Sequence, residues 1–481
     1  MTAKKPAMIK WYGKLFYGAG NLAYASVSQT MSSFIMFFGT SILGISGTLM
    51  GLAIALSTMW DAVTDPVMGY VSDRKKSYLW GRRHGFIIIG IFGMAIFNIL
   101  LWSVPNSLTT DAKFVWLLVA LLIMETFNTF VATPYTALGA ELSGDYHERT
   151  VIQSYKSVFY LIGLVIPSIL MSIFLKDTPA FPNGQLNPAG YLNIAYVTSC
   201  ICLVCGVICF LGTYSHLPRL RAKAELEAKT SDKLNFKKVI SEFFGMFKRK
   251  NYRAIILGHA MALISSAFLT STGMHVFTYT FGFKSAQIAT LMAMLILGSI
   301  VSQPLWIYIS KKTEKKPALI KSLWIVILCM IVLFVIFLLR NYLGQAIFYC
   351  MIPLLFMCGV GMGAMYSVSP SMYNDLIAID YYKTRTEKTA TYSSFMTLSY
   401  KISNAVALIV IGVLLDVIKF DSANNLNQPE SVKISLAVMF IFGIILSILA
   451  AIKMFSGYEI TKTDLAQIDK DGDGKIDVLE E

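Results

Sequence analysis

The chain is poor in charge: Asp, Glu, Lys and Arg make up 14% of its 481 residues while 56% are apolar. With a mean hydropathy of +0.61, that balance excludes an ordinary soluble domain of this size. Histidine is scarce, five in all, and no Ser/His/Asp or zinc-ligand spacing accompanies it, so no enzyme is expected. His259 and His275 share one apolar run and read as core or cavity groups. No Walker-type phosphate loop is present, which argues against an ATP-driven pump, and no organic cofactor is expected. None of the seven cysteines falls in an external loop, so no structural disulfide is expected. Cys202, Cys205 and Cys209 share a helical face that reads as small apolar packing and not as a metal site. Met1 to Pro6 lead straight into a span-length run and are not read as a cleaved leader.

What is present is a set of apolar stretches long enough to cross a bilayer, at about 12–40, 46–72, 85–105, 113–140, 151–175, 190–213, 253–281, 285–309, 317–339, 345–375, 390–418 and 431–455. They predict an all-α membrane protein of twelve helices whose surroundings are lipid. The net charge of +13 could suggest nucleic acid, but alternate loops carry it. With Lys156 and Lys401 inside helices, 33 of the other basic residues lie on the side of the amino terminus and six on the far side, Lys113, Lys176, Lys284, Arg340, Lys419 and Lys433. The positive-inside rule then puts both termini in the cytoplasm of a cell (inner) membrane.

The longest connection, 214–252, is basic and cytoplasmic on this reading. It divides the chain into an amino-terminal bundle (1–213), a central loop (214–252), a carboxyl-terminal bundle (253–455) and a tail (456–481). The halves echo one another. Pro66, Tyr70 and Ser72 recur at the same offsets as Pro304, Tyr308 and Ser310, and Glu141-Leu142, Asp145-Tyr146 and Arg149-Thr150 resemble Asp375-Leu376, Asp380-Tyr381 and Arg385-Thr386. Two-bundle secondary transporters are built in this way, with solute and ion held near mid-membrane.

The informative charges are those inside the apolar runs. Asp61 and Asp65 lie one helical turn apart with Thr64 beside them, and two such carboxylates in a low dielectric call for a cation or a shared proton. Ser299 and Gln303 hold the matching places in the second half, so an ion site belongs to the first. Glu125, Thr129, Ala132 and Thr136 are expected on one cavity-lining face of helix 4, with Asn128 and Thr129 as neutral oxygen ligands. Lys156 and Lys401 stand as buried counter-charges. The loop after helix 2, Gly69, Asp73, Arg74, Gly81, Arg82 and Arg83, reads as a gating latch in which Gly69 permits close helix approach and Asp73 pairs with an Arg across the bundle. In the tail, Asp469, Asp471, Asp473, Lys475, Asp477 and Glu480 match the ligand positions of an EF-hand loop, a candidate Ca2+ site.

Trp60-Asp61-Ala62-Val63-Thr64-Asp65-Pro66, the Asp73-Arg74 to Gly81-Arg82-Arg83 loop, Glu148-Arg149-Thr150 leading to Lys156, and Arg385-Thr386-Glu387 leading to Lys401 carry a likeness across nearly the whole chain. The sequence resembles the glycoside-pentoside-hexuronide:cation symporters of the major facilitator superfamily, the group of the melibiose permease. The resemblance implies that superfamily's fold of two six-helix bundles. It implies a cation site of Asp61, Thr64, Asp65 and Thr129, and it maps the family's basic residues of helices 5 and 11 onto Lys156 and Lys401. The two acids with which the melibiose permease grips its sugar map onto Ala25 and Ala132, and a nearby tryptophan onto Thr136. The expected function is symport of a sugar or glycoside with Na+ or H+. The cargo is anionic and uronide-like, or is held by Asn21, Tyr24, Asn128 and Tyr135, with Glu125, Lys156 and Lys401 lining the cavity. The alternatives are cation-coupled transport of a lipid-like or amphipathic solute, and a calcium-responsive membrane sensor.

Overall fold

The computed structural model describes residues 9–74, 80–143, 146–218, 220, 245–384, 389–421 and 427–466. Among the described residues the chain is all-α, with twelve long helices, six in each half. In the first six the helices are α1 (Trp11–Phe37), α2 (Gly47–Arg74), α3 (His84–Trp102), α4 (Thr110–Glu141), α5 (Tyr146–Phe174) and α6 (Pro188–Tyr214). In the second six they are α7 (Lys250–Ser271), α8 (Ser285–Val301, resuming as Gln303–Thr313), α9 (Lys315–Leu338), α10 (Ala346–Thr384), α11 (Thr389–Val417) and α12 (Glu430–Ser456), followed by the short α13 (Lys462–Ala466). Helix starts follow the local sequence. The side chain of Thr109 accepts from Ala112 N–H to open α4, and Asn187 accepts from Ala189 N–H ahead of Pro188 to open α6.

Two predicted boundaries move. Helix α10 runs on to Thr384, well past the apolar stretch, because its polar last turns are held by ion pairs, Lys315 with Asp375 and Arg249 with Asp380. Helix α8 bends by 41° at Ser302, just before Pro304, whose ring removes a backbone donor.

Among the described residues, nine helices, or ten counting bent α8, are long and apolar enough to cross a membrane. Helices α1 and α2 are not among them: α1 is rich in Ser, Gly and Tyr and carries Asn21 and Gln29, and α2 carries Asp61 and Asp65. Outward-facing Ile96, Val119, Val204, Leu328, Val335 and Leu446 are exposed, as expected where lipid and not water is the neighbour.

By packing, the chain separates into two units, Met1–Leu234 with Lys284–Ala289 and Ile409–Asn427, and Asn235–Phe283 with Thr290–Leu408 and Gln428–Glu481. Within the first, α1 packs on α5 and α6, α3 on α4 and α6, and α2 on α4; within the second, α7 packs on α12, α9 on α10 and α12, and α8 on α10. Four pairings therefore repeat, as the sequence echo predicts. In the first unit the core is Tyr17, Val27, Ile91, Met94, Met124 and Val131 with their neighbours. In the second, glycine sets the α8–α10 crossing: a Cβ on Gly298 would sit 2.2 Å from the Phe356 carbonyl oxygen, and one on Gly359 2.1 Å from that of Leu295.

Candidate functional site

Helix α4 meets α2 along a ladder of threonines. Thr126 accepts from the indole N–H of Trp60 at 2.9 Å, Thr129 donates to Oδ1 of Asp61 at 2.7 Å, and Thr133 donates to Oδ1 of Asp65 at 3.0 Å. The Thr64 hydroxyl lies 3.0 Å from that of Thr129. Each hydroxyl has one proton. With the Thr129 proton on Asp61, Thr64 donates to Thr129, giving a relay of two hydroxyls ending on one carboxylate. Thr129 is buried, whereas Asp61, Thr64 and Asp65 are half-buried. Of the four residues expected at a cation site, Asp61, Thr64 and Thr129 are linked directly, while Asp65 lies one turn further along α2 and bonds to Thr133.

Thr133 and Thr126 are missing from the sequence expectation. Their signal was available: threonines three and four apart in an apolar helix form a stripe, opposite a helix bearing acids one turn apart.

The second unit shows what that stripe replaces. Where Asp61 and Asp65 have counterparts in Ser299 and Gln303, Ser299 donates to the carbonyl of Gly359 at 3.2 Å and Gln303 to that of Gly363 at 3.1 Å. Glycines there let α8 reach backbone oxygens; threonines in α4 offer hydroxyls to carboxylates instead.

The expected single face of α4 is split, because α4 packs against several helices. Thr129 points at α2. Glu125, buried, accepts from Asn128 Nδ2 at 2.9 Å, and Ser28 of α1 donates to Asn128 Oδ1 at 3.2 Å. Thr136 accepts from the ammonium of Lys156 on α5 at 3.0 Å, and that ammonium lies 5.2 Å from the ring centre of Tyr135. No carboxylate among the described residues is within ion-pair reach of Lys156. Asn21 spends an amide proton on the Lys156 carbonyl at 2.9 Å. Tyr135 stacks on Tyr17 at 4.6 Å and donates to the Tyr17 carbonyl at 2.9 Å, so its hydroxyl is committed to packing. Tyr24 is half-buried. Ala25 is buried against α5, where a Cβ on Gly163 would come within 2.5 Å of its own, and Ala132 is half-buried. Lys401 is buried in α11, in the other unit.

The loop latch closes locally and not across the bundle. The Arg83 guanidinium pairs with Asp73 near the end of α2, donates to Ser72 Oγ at 2.6 Å, and pairs with Glu141 at the end of α4 at 2.8 Å; Arg82 reaches Glu141 at 2.9 Å. Gly81 has φ +60°, and a Cβ there would strike Leu217 at 2.5 Å. Gly69 proves roomier than expected: a Cβ would rest 3.7 Å from Thr133 Cγ2, an ordinary contact. The Arg74 side chain, most of the central loop and the whole loop Asp469 to Glu480 lie outside the described residues.

The MFS/sugar transport protein family model matches residues 16–462. The chain is 24% identical to an isoprimeverose transporter of Lactiplantibacillus pentosus over 47% of its own length and 46% of that protein, and 27% identical to the inner membrane symporter YicJ of Escherichia coli over 42% of each. Matches to these bacterial symporters thus cover less than half of their length. It is 22% identical to the sodium-dependent lysophosphatidylcholine symporter 1-B of Danio rerio over 93% of the chain and 87% of that protein. Among solved structures, the nucleoside transporter NupG superposes with a TM-score of 0.64 at 12% identity, covering 93% of this chain and 99% of that one, and a D-xylose-proton symporter with 0.60 at 12% identity, covering 91% and 97%.

Proposed function

Because the chain belongs to the MFS/sugar transport protein family, we propose that it is a secondary symporter that couples entry of Na+ or H+ to uptake of a sugar or glycoside across the cell membrane, with both termini cytoplasmic. The observation that carries the coupling is the pair of hydroxyl–carboxylate contacts, Thr129 to Asp61 and Thr133 to Asp65, inside a multi-pass membrane protein where acids are costly unless they hold an ion. Asp61, Thr64, Asp65 and Thr129 take the cation. Lys156, whose ammonium meets only a hydroxyl and a ring face among the described residues, favours a solute bearing a carboxylate, such as a uronide, with Glu125, Asn128, Asn21 and Tyr24 nearby in the same unit. Lys401 supplies the further buried charge in α11.

Uptake into proteoliposomes tests the coupling. Wild-type protein accumulates solute under an inward Na+ or proton gradient, and Asp61→Asn and Asp65→Asn lose accumulation while remaining folded. Undiminished accumulation in either variant would sink the reading.

A second reading is transport of a lysophospholipid-like solute, supported by the sodium-dependent lysophosphatidylcholine symporters that align over nearly the whole chain. Thermal stabilisation of purified protein by uronides or sugars favours the first reading, and stabilisation by lysophosphatidylcholine below its micellar range favours the second.

A further inference from the structure

We infer that Thr133 is the positioning residue of Asp65 and sets which small cation the α2–α4 site accepts. This rests on the cation-coupled reading above and extends its set of residues from four to five.

The argument starts from hydroxyl bookkeeping. Asp61 has its own donor in Thr129, itself backed by Thr64. Those two hydroxyl protons are spent on the Asp61 branch, so neither serves Asp65. Thr133, two turns beyond Thr126 on the same stripe, donates to Oδ1 of Asp65 at 3.0 Å. A hydroxyl that donates to a carboxylate keeps its lone pairs free to face a cation. Thr133 therefore fixes one oxygen of Asp65 against α4, one helical turn away from the place where Thr129 fixes one oxygen of Asp61. The spacing of the two clamped carboxylates, and with it the size of ion they suit, depends on both threonines.

The second half of the chain supplies an independent comparison. Its corresponding contacts, Ser299 to Gly359 and Gln303 to Gly363, run from α8 side chains to α10 backbone. Both rungs change together between the two units: an acid bonded to a threonine hydroxyl at both levels in one, a neutral donor bonded to a backbone carbonyl at both levels in the other. If only the Asp61 rung mattered, the second threonine would be free to be any residue that packs. Packing does not require it either. Thr133 is half-buried, and its Cγ2 would meet a Cβ at Gly69 at 3.7 Å, an ordinary contact, so the hydroxyl is the part of the side chain with a fixed hydrogen-bond partner.

The test needs no knowledge of the solute. Thermal unfolding of purified protein is titrated with NaCl and with LiCl against choline chloride at constant ionic strength, for wild type, Thr133→Val, Thr133→Ala and Thr133→Ser. The expected result is that Thr133→Val and Thr133→Ala each raise the half-saturating Na+ concentration by about tenfold or more, the scale of one hydrogen bond to a charged group, and change the Na+ to Li+ ratio. Thr133→Ser restores both to within about threefold, since it keeps the hydroxyl. A purely structural role for Thr133 would lower the unfolding temperature without moving the ion ratio. Variants with wild-type half-saturation and an unchanged ratio overturn the inference while leaving the cation-coupled reading standing. A wild-type protein that responds to neither ion overturns it at its premise.

Discussion

Gly44 and Gly282 occupy the same place in two different helices. Each lies two residues beyond a π turn, Phe38–Ile42 after α1 and Val276–Thr280 after α7, and each has a left-handed backbone, with φ of +71° and +68°. The hydrogen bonds match too: Leu43 N–H reaches the Phe38 carbonyl as Phe281 N–H reaches that of Val276, and Ile45 reaches Gly39 as Phe283 reaches Phe277. The internal repeat is therefore a repeat of backbone geometry, carried at a place where side chains differ.

A glycine is needed at such a φ because a Cβ crowds the following carbonyl. Around Gly282 nothing lies within 4 Å of where a Cβ would be, so substitution there isolates the backbone cost from any clash. Gly282→Ala is expected to lose about 1–2 kcal/mol, read as a lower unfolding temperature, with Gly282→Asn milder because asparagine tolerates this conformation. Equal loss in the two variants would mean that the conformation is not what selects glycine.

At the α8–α10 crossing the cost is steric instead. Gly298 and Gly359 each face a carbonyl oxygen of the other helix closer than any Cβ can approach, so Gly298→Val or Gly359→Val must push α8 off α10 and break the contacts of Ser299 and Gln303. Severe loss of folded, monodisperse protein is expected in both. Gly69→Ala is the control and should be tolerated, since its Cβ meets only an ordinary contact.

Much of the architecture was legible in the sequence because hydropathy reports membrane spans directly. The echo of Glu141 in Asp375 also points to a real correspondence: Arg83 braces Glu141, and Lys315 braces Asp375 at 2.6 Å. That Asp61 and Asp65 need partners inside the protein was legible through their cost in an apolar run. Thr133 was not, since a threonine in a membrane helix is commonplace and only the α2–α4 register gives it a carboxylate. The separate partners of Glu125, Thr129 and Thr136 were hidden for a similar reason: periodicity tells which residues share a side of a helix, not which of several neighbouring helices that side meets.

The residues after α12 are strapped to the second unit. Tyr458 is buried with its hydroxyl donating to the Met372 carbonyl, Lys316 donates to the Tyr458 carbonyl at 2.7 Å, Asn251 accepts from Glu459 N–H at 2.9 Å, and Glu459 pairs with Lys250. Against truncation after Ala466, truncation after Ser456 removes the buried tyrosine and should cost about 3–5 kcal/mol, the scale of an aromatic core deletion. Equal stability of the two truncations would show that the strap contributes nothing.

At the start of α5, the Glu148 carboxylate accepts from Ile9 N–H at 2.7 Å and Ser143 Oγ at 2.7 Å, and pairs with Lys14 at 3.0 Å. Burial pushes its pKa up, but the Ser143, Lys14 and Ile9 donors together outweigh burial and hold it below its ordinary value of 4.5. A carboxyl whose folded pKa lies below its unfolded one contributes stability that is fully present above the unfolded value. That contribution is lost as pH falls from there through the folded value. Unfolding temperature should therefore be insensitive to this group at neutral pH and decline below about pH 4.5. Glu148→Gln leaves Lys14 nearly buried without its partner, so it should be destabilised at pH 7 by about 3 kcal/mol or more. Its deficit against wild type should shrink as the pH is lowered, because acid removes from wild type the charge the variant never had. A deficit that stays constant from pH 7 to pH 3.5 would mean that the Glu148 charge does not hold the start of α5 to the start of α1.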